Sequence, residues 1–102
     1  MTMKMEKVEK TLREEILEQA TAAVVVDRSN DYGRPEANFG RIAEFWSTYL
    51  GIKIHEHDVA AMMVLLKVSR ITTSPGLFDH WVDIAGYAAC GGEVRFGERQ
   101  SA

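Results

Sequence analysis

"DVAAMMVLLKVSRI", Asp58–Ile71, is the stretch on which the fold turns. Its core, Val59 to Leu66, contains no polar residue. A helix through it is apolar on every side and has to be covered on most of them, at the centre of a bundle or in a subunit interface. Only Lys67 and Arg70 interrupt the apolarity near its end, and as i, i+3 neighbours they lie close together on the helix surface. Just upstream, His55 stands where a capping residue is expected, and Asp58 supplies an acid for the positive end of the helix dipole.

Upstream of this run lies a second helical pattern. Pro35 suits a first turn because its missing N–H would be unpaired there anyway. Phe39, Ile42, Ala43, Trp46, Tyr49 and Leu50 then form one wide apolar stripe, and Gly51 is placed to end the helix in a left-handed conformation. Further upstream, Thr11 followed by Glu14 is a capping-box pair. Leu12, Ile16, Ala20, Ala23 and Val24 recur at helical spacing behind it. Two short β-rich runs, "AAVVVD" and "GIKIH", show no paired alternation and do not amount to a sheet.

Downstream, the connector "TTSPG" leads to a fourth pattern, "LFDHWVDIAGYAACGGEV", where Ser74 or Asp79 could cap. Gly86, Gly91 and Gly92 make this helix weak in intrinsic propensity, by on the order of 1 kcal/mol for each interior Gly. Such residues let another backbone approach closely, so tight packing against the third helix or against a symmetry mate is expected. The fold class is therefore all-α, a compact bundle of about four helices, with residues 1–10 a tail or helix extension, 11–96 one helical domain and 97–102 a C-terminal tail.

Length and composition bound the rest. With 102 residues the chain is one small domain with little surplus stability, which favours a homo-oligomer. A net charge of -3 gives no footprint for duplex nucleic acid. No apolar run reaches the roughly 18 residues of a membrane span, and the single cysteine, Cys90, excludes a disulfide within the chain, so the cytoplasm is the expected compartment.

The chemistry-bearing residues are few. Asp79 and Asp83, at i, i+4, face the same way and repel unless a cation lies near them. Two readings compete: a divalent metal such as magnesium, or a structural ion pair with Lys67 and Arg70. His80 and the alternating His55-x-His57 are metal-capable types without a third ligand placed by spacing. Cys90, among alanines and glycines, reads as a packed small hydrophobe. In "DRSNDYGRPEANF", Asp27–Phe39, the turn at Tyr32-Gly33 runs into the helix at Pro35 with Arg28 and Arg34 flanking. That corner suits a phosphate or carboxylate group as well as it suits an ordered loop.

"DYGRPEANFGRIAEFWSTYLG", "DVAAMMVLLKVSR" and "DHWVDIAGYAAC", in that order, resemble a domain family of unknown function found in bacteriophage and prophage proteins. The resemblance covers roughly Arg28 to Glu93. It implies a viral or prophage origin and an all-α fold, without supplying an activity. More remotely, the chain is similar to the all-α nucleoside triphosphate pyrophosphohydrolases of the MazG and dUTPase type, small helical oligomers that hold magnesium on acidic residues of adjacent helices. In that likeness His80-x-x-Asp83, with Asp79, matches an acid-bearing element of a late helix and Glu15-x-x-Glu18 has the spacing on the first, while Glu36 and Glu44 on the second depart from it. The expectation is a phage-encoded nucleotide-binding protein. As a pyrophosphohydrolase it would bind Mg2+ through Asp79 and Asp83 and use Arg28, Tyr32, Arg34, Lys67 and Arg70 as ligand or phosphate contacts. The alternative is a non-catalytic protein that sequesters a nucleotide or binds a host protein.

Overall fold

The computed structural model describes residues 9–27 and 35–101, with side chains over 9–25 and 38–97. Four helices and no strand occur among them: α1 (Leu12–Thr21), α2 (Pro35–Leu50), α3 (Glu56–Thr73) and α4 (Phe78–Ser101). Thr11 caps α1 as its sequence requires. The Glu14 N–H donates to Thr11 Oγ1 at 3.2 Å and the Thr11 N–H donates back to Glu14 Oε1 at 2.8 Å, so two orphan donors of the first turn are satisfied reciprocally. The "AAVVVD" run is neither strand nor α-helix: Ala22–Asp27 continues α1 as a π-helical segment. Its wider, i→i+5 bonded turn re-aims the side chains that follow, and Val24 packs against the core.

α2 begins at Pro35 and ends where Gly51, at φ +73°, donates its N–H to the Ser47 carbonyl at 2.8 Å. α3 is capped by Asp58, whose Oδ2 accepts from the His55 N–H at 2.8 Å. At the α3–α4 turn the Ser74 carbonyl accepts from the Leu77 N–H at 3.3 Å. Of the two cap candidates for α4, Ser74 stands at the C-terminal end of α3 and Asp79 lies inside the first turn of α4. α4 also runs through Ser101, beyond the boundary at residue 97 where a tail was expected.

The core joins all three long helices. Phe39 and Ala43 from α2, Val59 and Ala60 from α3, Cys90 and Val94 from α4, and Ile54 from the α2–α3 connector are buried together. α3 and α4 make the most extensive helix contact, with α1 against α4 and α2 against α3. The small residues of α4 explain how close they come. A Cβ on Gly91 would lie 2.7 Å from the Ala60 Cβ, and one on Gly86 would lie 3.1 Å from Val24 Cγ1. Close packing thus falls within one chain on two sides of α4, against α3 and against the π-helical segment.

Several residues of the expected stripes are not covered. Leu12, in the first turn of α1, is 69% exposed and Tyr49, in the last turn of α2, 87%. Within the apolar run of α3, Val59 and Ala60 are buried whereas Met62, Leu65 and Leu66 are open. The bundle is also less compact than expected, with a radius of gyration of 17.0 Å against about 13 Å for a compact domain of this size.

Candidate functional site

Lys67 and Asp83 meet across the α3–α4 contact, with Nζ 2.9 Å from Oδ2. The Lys67 side chain is 18% exposed and the Asp83 side chain 40%. A half-covered, charge-assisted bond of this kind ties the two helices together and relieves the repulsion that Asp79 and Asp83 would otherwise exert at one helical turn's spacing. Asp79 and Arg70 are exposed. Arg28, Tyr32 and Arg34 lie outside the described residues, and with them the corner expected between the first two helices. Among the described residues no three His, Cys, Asp or Glu side chains come together as a metal site. A hard cation such as magnesium takes several oxygen ligands. Two carboxylates, one of them held by an ammonium group, do not supply that set, so the described residues do not fit the implied metal.

His80, the residue beside this pair, is buried, and its Nε2 has no hydrogen-bond partner among the described residues. Cys90 is buried in the core, in line with its reading as a packed hydrophobe.

A different group of residues surrounds open space. At the α2–α3 corner an open cleft of about 1210 Å³ is lined by one face of α2, the connector, the first turn of α3 and one residue of α4. Its shape follows from local bonds. The Ile54 N–H donates to Ser47 Oγ at 2.8 Å and the Ser47 hydroxyl donates to the Ile54 carbonyl at 3.3 Å, which fixes the connector against α2 and buries Ile54. Lys53 and His55, on either side of Ile54, alternate away from the core and stay exposed. A Cβ on Gly40 would lie 3.0 Å from Glu56 Oε2, so glycine there lets the first turn of α3 lie against α2.

Three cationic side chains converge on the cleft: Arg41 from α2, Lys53 from the connector and Arg95 from α4. None of the ion pairs among the described residues uses them. His55 and His57 stand in the same wall with their rings stacked, 5.5 Å between centroids and 8° between planes. His57 Nε2 lies 3.8 Å from Asp58 Oδ1. Glu44 and Glu56 are the acids of the lining. Such a wall offers fixed positive charge, flat rings and hydroxyls, a set suited to an anion carrying a planar group. Sequence reasoning had weighed the His-x-His element for capping, through His55, and for metal. It missed Arg41, Lys53 and Arg95 because they are far apart in sequence and none belongs to a motif.

No described helix is long and apolar enough to cross a membrane. No solved structure matches the chain. Two curated relatives do: a Gene 55 protein of Mycobacterium phage D29, 39% identical over 79 residues, which cover 78% of this chain and 52% of the relative, and a Gene 55 protein of Mycobacterium phage L5, 42% identical over 74 residues, which cover 72% and 47%. The chain therefore spans about half the length of the curated relatives it matches. The sequence profile of a domain of unknown function, DUF6378, matches residues 15–95, which take in all of α1 but its first turn, α2, α3, all but the end of α4, and both the cleft and the Lys67–Asp83 pair. The chain belongs to this family of unknown function, DUF6378, and is similar to the Gene 55 proteins of the two mycobacteriophages.

Proposed function

We propose that this protein is a phage-encoded binding module for a phosphate-bearing small molecule, a nucleotide by preference, seated in the cleft at the α2–α3 corner. The observation that carries the reading is the convergence of Arg41, Lys53 and Arg95 on one open cleft without carboxylate partners in ion-pair range among the described residues. Their charges neutralise phosphate oxygens, with the arginines able to bind two oxygens at once. The stacked His55 and His57 rings offer a surface for a planar base. Sequestration of the ligand needs nothing further. Hydrolysis would need a metal or another means of activating water, and the described residues supply no magnesium site, so catalysis is left as an outcome of the test.

The test is titration calorimetry with nucleoside mono-, di- and triphosphates, with and without magnesium, and an assay for released pyrophosphate. Saturable binding to wild type, reduced at least about tenfold in Arg41→Glu and in Lys53→Glu, a loss of about 1.4 kcal/mol or more, is the expected result. Binding indifferent to both reversals, or no binding at all, overturns the proposal. Magnesium-dependent pyrophosphate release would replace it with the hydrolase reading and direct attention to Asp79 and Asp83.

A further inference from the structure

The bare side of the α3–α4 pair has a regular pattern of its own. On α3, Ala61, Leu65, Val68 and Thr72 follow one another at spacings of four, three and four, all exposed. On α4, Trp81, Ala85, Ala88 and Gly92 repeat the same spacings. This is the 3.5-residue period of a seam between packed helices. Trp81 is 50% exposed, Leu65 65% and Val68 45%, and a Cβ on Gly92 would meet nothing within 4 Å. Neither stripe contains a charged residue, although about one exposed residue in three or four on a solvated surface is ordinarily charged.

Both stripes open on one side of the molecule. The π-helical segment, through Val24, and α2, through Phe39 and Ala43, pack into the same core against Val59 and Cys90. They therefore form one layer over α3 and α4 and leave the opposite side of that pair bare. The smallest extent of the molecule, 24 Å, is that of about two helix layers. Each stripe runs about 17 Å along its helix at 1.5 Å per residue. With Met62 and Leu77 beside them, the two stripes make an uncharged surface of on the order of 300–400 Å² at about 10 Å of width per helix, about half of the roughly 800 Å² per partner of a standard interface and enough for its apolar centre.

We infer that a second copy of this chain covers this surface, α3 and α4 of one protomer packing on α3 and α4 of its partner about a two-fold axis. An isologous interface sets the same patch against itself, and a patch without charge does so without like-charge repulsion. A charged partner would find no complementary group there. A lipid surface would find no Lys or Arg along either stripe, and the chain is net acidic. The small residues of the α4 stripe, Ala85, Ala88 and Gly92, let the facing helices come close. The inference is independent of the ligand in the cleft.

Sedimentation equilibrium of the purified chain across a concentration series is the test. A mass of twice 11.4 kDa is expected. Ala88→Glu and Leu65→Glu, both at exposed positions where a monomer would keep its helical circular dichroism, should each raise the dimer dissociation constant by about a hundredfold. Should either variant lose its helical signal, Gly92→Arg replaces it, since that position has open space in the single chain. A monomer at tens of micromolar, or a dimer indifferent to these substitutions, overturns the inference.

Discussion

The α3–α4 contact and the α2–α3 corner are built from opposite materials. Across the first, Gly91 lies so near Ala60 that a single Cβ would overlap it, and the Lys67–Asp83 pair adds a polar link. At the second, a hydroxyl bridge from Ser47 to Ile54 holds the backbone while cationic and imidazole side chains stand around open space. Contact built on small residues excludes everything else and can only hold helices together. A corner held by one hydroxyl bridge leaves open space beside its cationic side chains where a ligand can meet them. The difference teaches where binding is to be sought: away from the tightest packing, and away from the carboxylates on which the sequence first focused attention.

Substitutions can break that contrast from either side. The largest effect is expected at Gly91→Val. Its helix propensity improves on glycine, but its Cβ meets Ala60 at 2.7 Å, well inside contact distance, and overpacking should cost about 3 kcal/mol. A urea midpoint equal to wild type would mean that α3 and α4 are not so close. Asp83→Ala comes next. Removing it strands a largely covered ammonium group, yet water reaches the pair, so a loss of about 1–2 kcal/mol is expected rather than the larger cost of a fully buried pair. No change in the melt would reduce the pair to a surface contact. The smallest effect on stability belongs to Ser47→Ala, about 1 kcal/mol for the bridge to Ile54. It sharpens the comparison, because a loosened connector should also weaken ligand binding in calorimetry. Loss of stability with binding untouched would show that the corner's backbone does not position the cleft.

Much of the local structure was legible. Thr11 with Glu14, Pro35 and Gly51 announce helix ends through hydrogen-bond and φ requirements that act within four residues, and each end lies where its chemistry put it. The close approach at Gly91 was foreshadowed by the small residues of α4, though not which neighbour would fill the space. Elsewhere the local signal was ambiguous. "AAVVVD" has the β-branched composition of a strand, and its π-helical form depends on what Val24 meets in the core. The apolar run of α3 indicated that it must be covered, but a run apolar on all sides cannot say which side faces α4 and which is left bare. The candidate site was the least legible feature. Arg41, Lys53 and Arg95 stand on three different segments, and no spacing rule connects them.

By itself, then, the sequence determined the helical class, most helix ends and the capacity of α4 for close contact, because propensity, capping and residue size operate over a few neighbouring residues. Only the tertiary structure decided that Lys67 pairs with Asp83, that the cationic residues gather at the α2–α3 corner, and that an uncharged face of α3 and α4 stays open. Each of these depends on the angles and distances at which whole helices cross, and those are set by the core as a unit.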